Sequence, residues 1–494
     1  MHKTDEVRTM IKKSVWTWFA LVLMATAVYS QTALKYKGVY TAWGQSQHSF
    51  TLGKADYNDD YVVQMLRLRL SFAANPHVRA ITRFDLGQGW WGVDNADRTV
   101  DRIGKTGGSS LFDFKDTNFL FHVDQAYMEF DIPDTPLMFR VGRMWYGFGN
   151  KMVLDNNLDG IQLVINKKVE LGWAKVSEGV DGLTDNEVKN TAGSVVTDGN
   201  DADLLYASLK NKAGDWNYQL FGFYYNDAGD DDGTTYMPND INYFRSRFTP
   251  NISKLACFGL SAHYQKKGFN FIGELDVLVG KDDVNNTTIN AKQLTDINNG
   301  DINGYNLYLK LNKKVSPKFN LGGVFGLGSG DDDWTGGKGN VNKLRTSGFF
   351  YVTEIWEDSI MPDEEGITPQ GLGAPNVRGY RELENTTLFQ INGKVNLTPK
   401  VSLFGSFTYL GATQAIHGWH LDALTNTTVI DPASSKSIGQ EVDWKLDWKV
   451  YPQLVLTFRG GVFFPGDAAG YLINGTNQFN DAAWETKTTV TYKF

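Results

Sequence analysis

Cysteine is all but absent from this chain of 494 residues: Cys257 stands alone, so no internal disulfide braces the fold. Long apolar runs are equally scarce. The stretch Val15 to Val28 follows Lys12 and Lys13 and is too short for a comfortable spanning helix, and no other segment reaches the roughly 18 apolar residues a helical span needs. With Val28-Tyr29-Ser30 behind it, this pattern predicts a secretory signal over residues 1–30 and a mature chain starting near Gln31. An excess of positive charge is also missing. The whole chain has 48 Lys+Arg and 56 Asp+Glu; removing the four basic and two acidic residues of the first thirty leaves 44 against 54, a net charge of −10. Nucleic acid is therefore not an expected partner. The mean hydropathy of −0.33 suggests a water-soluble protein, yet a chain whose strands are apolar on one face only averages to a similar value.

What the chain does have is alternation. Glu441-Val442-Asp443-Trp444-Lys445-Leu446-Asp447-Trp448-Lys449-Val450 carries a charge at every odd position and an apolar residue at every even one, and Glu485 to Phe494 keeps its charges on odd positions and its apolar residues, Val490, Tyr492 and the terminal Phe494, on even ones. Alternating segments fall at 34–45, 61–73, 77–88, 119–130, 136–146, 159–166, 168–177, 203–211, 215–226, 254–266, 268–280, 302–313, 318–329, 384–397, 400–412, 438–450, 453–465 and 483–494, an even number of eighteen. Their connections are by turns short and long. The short ones carry turn chemistry, as in Ala74-Asn75-Pro76, Asn166-Lys167, Lys267-Gly268, Ser316-Pro317 and Thr398-Pro399, whereas the long ones are rich in Asp, Asn and Gly. Short periplasmic turns alternating with long external loops predict an all-β fold: a transmembrane antiparallel up-and-down barrel of eighteen strands in the outer membrane, residues 31–494 forming one domain. The longest loop, 330–383, is long enough to fold into or over the pore, with a short strand over Phe349 to Trp356.

Parity then assigns faces. Arg67 and Arg69 on the second strand, Arg79, Arg83 and Asp85 on the third and Arg140 on the fifth point inward, with Leu66, Leu68, Leu70 and Phe84 toward lipid. Arg143 has the opposite parity and reaches the lumen only if Gly142 permits a bulge. Glu129, Glu274, Asp276, Glu441, Asp443, Asp447 and Arg459 complete the expected charged lining, with Lys487 and Lys493 near the closing seam. The arginines suit anion attraction, because guanidinium is always charged and weakly hydrated; the bland alternative pairs them with inward acids such as Asp85 and Glu129. Trp173, Trp216, Tyr218, Tyr305, Tyr409, Trp444, Trp448 and Tyr492 fit a lipid-facing aromatic girdle. Trp90, Trp91, Trp145, Trp334 and Trp419 fall at strand ends or in loops, as girdle packing or as sugar-stacking surfaces.

Several strings occur together: Leu66-Arg67-Leu68-Arg69-Leu70, Asp124-Gln125-Ala126-Tyr127-Met128-Glu129, Val141-Gly142-Arg143, Asp159-Gly160-Ile161, Gly328-Ser329-Gly330-Asp331 and Phe463-Phe464-Pro465-Gly466-Asp467. In order and spacing they resemble the alginate-export family of outer-membrane porins. The resemblance implies a monomeric eighteen-stranded barrel whose arginine-rich lumen passes an anionic polysaccharide outward.

The expected activity is a channel, either for passive diffusion of small polar or anionic solutes or for export of such a polysaccharide; the mixed lining suits small solutes. A structural barrel serving as a sheath or scaffold for a partner is the alternative. Lipid and lipopolysaccharide are the expected surroundings. Catalysis is not expected: Ser261 and His263 share a face, but no acid orients the imidazole. Nor is a cofactor or metal site expected; His417, His420 and Asp422 lack a supporting scaffold, and the acidic clusters Asp230-Asp231-Asp232, Asp331-Asp332-Asp333 and Asp198, Asp201 and Asp203 would at most recruit Ca²⁺.

Overall fold

The computed structural model describes residues 33–56, 58–91, 121–177, 188–189, 195–196, 202–227, 252–282, 300–330, 332, 340–341, 350–357, 383, 385–422, 424 and 428–494. The expected signal segment, the Asp230-Asp231-Asp232 cluster and Trp334 lie outside these residues, as does the side chain of Trp90.

Eighteen long strands follow one another: β1 (Ala33–His48), β2 (Asn58–Asn75), β3 (Val78–Trp90), β4 (Phe121–Asp131), β5 (Leu137–Gly147), β6 (Asp155–Ile165), β7 (Val169–Ser177), β8 (Ala202–Ala213), β9 (Trp216–Asp227), β10 (Ile252–Lys266), β11 (Phe269–Asp282), β12 (Gly300–Lys314), β13 (Phe319–Gly328), β14 (Thr386–Asn396), β15 (Val401–Leu421), β16 (Thr428–Tyr451), β17 (Leu454–Pro465) and β18 (Ala483–Lys493). All belong to one antiparallel sheet, to which the two-residue bridge Asn340–Val341 adds itself beside β12. The sheet closes where β18 pairs with β1, from Val39 opposite Lys493 to His48 opposite Trp484. Closure is what lipid demands, because an open edge would leave backbone N–H and C=O groups unpaired in hydrocarbon. The last turn of the seam is tight. Gly38 and Phe494 exchange both backbone hydrogen bonds, at 2.8 and 3.0 Å, and a Cβ on Gly38 would run into the Phe494 ring.

The short connections form for the reasons their residues suggest. Asn166-Lys167 and Lys267-Gly268 both hold two central residues at positive φ, the mirror-image turn whose twist matches the strands. Asn75 Oδ1 accepts the backbone N–H of His77 and Val78, and Thr398 Oγ1 accepts those of Lys400 and Val401. Alternation holds along β16, where Glu441 and Asp443 are buried while Val442 and Trp444 are exposed. The predicted girdle residues Trp173, Trp216, Tyr305, Tyr409, Trp444, Trp448 and Tyr492 all present exposed rings on the outside.

Two elements differ from expectation. β15 and β16 run well past 412 and start well before 438, forming a long hairpin around the helix α1 (Asp467–Asn474), whose side chains are almost all buried. Segment 350–357 is a turn, not a strand; its backbone N–H groups bind side chains instead of a neighbouring strand.

Leu275, outward-facing in the middle of β11, reports on the lipid band. Leu275→Arg is expected to destabilise the barrel by about 2–4 kcal/mol, measured by denaturant titration of the protein folded in phospholipid vesicles.

Candidate functional site: the charged barrel interior

The predicted arginines do point inward, but most are already paired. In one inter-strand row Arg79, Glu129, Arg140 and Gln162 face one another across β3 to β6. Arg79 pairs with Glu129 Oε1, Arg140 Nε donates to Glu129 Oε2 at 2.7 Å, and Arg140 Nη1 reaches Gln162 at 3.2 Å. Beside it, Arg67 binds Asp85 through two bonds of 2.7 Å, and Arg83 binds Asp124. Asp124 owes its position to a bulge: Arg83 lies opposite Gln125 and Phe84 opposite Val123, so Asp124 is the extra residue and turns inward with Gln125. Four arginines thus share three carboxylates. The layering decides what the lumen meets, since the acid side chains are only 4–7% exposed while those of Arg79, Arg67, Arg140 and Arg83 are 51%, 39%, 28% and 22% exposed. The carboxylates lie underneath and the guanidinium groups lie on top.

Arg69 differs from the others. Among the described residues its guanidinium bonds only the Tyr127 hydroxyl, at 3.1 Å, and it stands in a row between Lys37 on β1 and Arg83 on β3. Among the described residues Lys35, Lys37 and Lys493, on the same inward face, pair with no carboxylate. Lys35 and Lys37 were missed in the sequence, although their odd spacing on β1 carries the same parity signal as Arg67 and Arg69.

Arg143 does not reach the lumen. β5 keeps its register through Gly142, so Arg143 faces outward and pairs with Asp159 at 3.3 Å, in a row with Lys175 and Asp203. Gly142 is needed for another reason: its φ of +123° and the backbone of Ala126–Tyr127 leave no room for a side chain.

The remaining inward carboxylates lie under segments inserted from the loops. The β5–β6 connection sends Phe148 onto Phe221, ring centroids 4.9 Å apart and nearly parallel, while Asn150 donates from its backbone and side chain to Glu274 Oε2 at 2.5 and 2.9 Å. Segment 350–357 stacks Trp356 on Phe463, and Glu441 accepts the backbone N–H of Ile355 and Trp356 at 2.6 and 2.9 Å. Arg459 is bound to Glu354 of the same segment at 2.9 Å. Asp443 accepts Ser406 Oγ at 3.3 Å, and Asp447 accepts Thr457 Oγ1 at 2.8 Å. Glu441 and Arg459 therefore fasten a loop rather than line an open passage. The sequence signal for this lay in β9, where Leu220 to Tyr225 is apolar without alternation, a strand covered on both faces.

His263 bonds the Asn270 amide oxygen at 2.5 Å rather than Ser261. His417 and His420, which lie on the extended β15, turn to the carbonyl and carboxyl oxygens of Asp431 at 3.0 and 3.1 Å. Among the described residues no three His, Cys, Asp or Glu side chains converge as metal ligands.

A closed eighteen-stranded barrel with an apolar, girdled exterior and a charged interior is a transmembrane β-barrel. No protein-family model matches the chain, and no curated protein matches its sequence. Solved structures do. OccK9 (OpdG) of Pseudomonas aeruginosa shares 9% identity with a TM-score of 0.50, covering 93% of this chain and 98% of that one. The outer membrane protein OpdK of the same organism gives 10%, 0.49, 94% and 98%. OccK2 (OpdF), solved in complex with glucuronate, gives 8%, 0.49, 93% and 98%. At such identities the likeness is one of fold.

Glu441→Ala removes the acceptor of two backbone N–H groups, each such bond contributing about 0.5–1.5 kcal/mol. Segment 350–357 is expected to loosen. Single-channel recording should show a larger and noisier open current than wild type.

Proposed function

We propose that this protein is an outer-membrane porin through which small polar or anionic solutes diffuse down their gradients. The observation that carries this reading is the layering of charge on β1 to β5, with guanidinium and ammonium groups facing the lumen above buried carboxylates. Such a surface attracts carboxylate, phosphate or sulfate groups, and the fixed carboxylates beneath hold the arginines in place so that they need not reorganise around a passing anion. Lys37 and Arg69, which pair with no carboxylate among the described residues, are the strongest attractors.

Two of the strings that carry the alginate-export resemblance fall on this basic wall, Arg67 with Arg69 and the Asp124 to Glu129 stretch, while Asp159 lies on the outer face. Export of an anionic polysaccharide uses the same basic surface and remains within the proposal. A sheath around a partner protein is disfavoured by a specific observation, since it needs an unobstructed lumen and segments 148–154 and 350–357 pack inside this one. Lipid and lipopolysaccharide surround the barrel in this reading, and the monomer is its working unit.

The ladder also changes which substitutions test the filter. Removing Arg79 or Arg83 would take a cation from a buried acid and disturb its remaining bonds to Arg140 or Asn157, whereas Lys37→Ser with Arg69→Ser removes two lumen cations that, among the described residues, hold no carboxylate. Reconstituted in a planar bilayer under a salt gradient, the double variant is expected to fold normally and shift its reversal potential toward cation preference. An unchanged reversal potential would show that this surface does not select.

A further inference from the structure

Beneath the inserted β5–β6 connection, β11 turns two carboxyl groups into the barrel interior. Glu274 and Asp276 are 1% and 0% exposed, and Asn306, opposite Asp276 on β12, is 0% exposed. Among the described residues no basic side chain forms an ion pair with either acid; Asn150 donates twice to Glu274 Oε2, and the polar groups beside Asp276 are the Asn306 amide and Glu274 itself. Among the described residues, Glu274 Oε1, both oxygens of Asp276 and both amide atoms of Asn306 find no hydrogen-bond partner of acceptable geometry. Two like charges two residues apart, buried and unpaired, are a costly arrangement that native structures neutralise. Buried unsatisfied polar atoms are normally few, and a cluster of them on adjacent residues calls for a ligand.

We propose that Glu274, Asp276 and Asn306 bind one hard divalent cation of the Ca²⁺ type. The donor set is all oxygen: Glu274 Oε1, the two Asp276 oxygens and Asn306 Oδ1 supply four free ligand atoms, and two carboxylates balance a double positive charge. Ca²⁺ accepts an irregular shell of oxygens completed by water, whereas Mg²⁺ demands a near-octahedral one. The backbone makes space for the two acids. A Cβ on Gly259 would collide with Asp276 Oδ1, and a Cβ on Gly149 with the Glu274 carboxylate, so only glycine lets both acids sit where they do. Because Glu274 uses its other oxygen to hold Asn150, the cation also anchors the loop that carries Phe148 into the lumen.

The test uses the full-length protein folded in detergent, stripped with EGTA and titrated calorimetrically with Ca²⁺ alone. Wild type is expected to bind one equivalent more than Asp276→Asn, a comparison that subtracts any Ca²⁺ held by the acidic external loops. Ca²⁺ should raise the melting temperature of wild type more than that of the variant. Asn306→Asp guards against an uninformative misfolded variant: a third carboxylate tightens Ca²⁺ binding if the site exists, and only destabilises the barrel if it does not. Equal stoichiometry in wild type and Asp276→Asn would overturn the proposal. So would a wild-type melting temperature that moves with pH but not with Ca²⁺, the signature of a proton shared by the two acids.

Discussion

Every backbone N–H and C=O of a chain in hydrocarbon must be paired within the chain, and the rest of this structure depends on that constraint. With no disulfide available, it is met by closing the sheet on itself, and the seam is completed by the reciprocal bonds of Gly38 and Phe494. Closure fixes the parity of every strand at once. A register slip of one residue would put the arginines of β2 into lipid, at about 2–4 kcal/mol each near the bilayer midplane, so the apolar exterior and the charged interior enforce each other.

Closure also creates an interior that must be filled, and the two sides of the barrel solve this differently. Across β8 to β17 the inward residues include Tyr206, Phe221, Phe223, Leu278, Tyr308 and Phe463, and loop segments fold in to cover them. Across β1 to β5 the inward residues include Arg67, Arg69, Arg79, Arg83 and Arg140, and the guanidinium groups of the paired ones stay in contact with the lumen. Here acids occupy the bottom layer because they are short and basic groups the top because they are long. Asp and Glu side chains end close to the sheet, while Arg and Lys reach over them with their apolar stems against the wall. Cations that outnumber the carboxylates beneath them thereby present a surface of one sign.

The inserted segments are fastened by the same kind of contact. Glu441 holds the backbone of Ile355 and Trp356, and Glu274 holds that of Asn150. In each case a strand residue that parity marks as pore-lining becomes a clamp for a loop. The passage through the barrel is therefore shaped by carboxylates it does not expose.

Strand positions, the even strand number and the facing of Arg67, Arg79 and Glu129 were all legible in the sequence, because period-two alternation is a local property that lipid outside and water inside imprint on each strand. Turn positions were legible for a similar reason, since Asn75, Lys267-Gly268 and Thr398 act on their immediate neighbours. What alternation does not encode is which strands meet across the barrel or which loop enters it. The bulge that brings Asp124 to Arg83 depends on the register between β3 and β4, and the outward pairing of Arg143 with Asp159 depends on the register between β5 and β6. The clamps at Glu274 and Glu441 join residues 124 and 86 positions apart in the chain. The sequence by itself determined a barrel and the side each residue faces; only the folded chain decided which charges neutralise one another and which remain for a passing solute.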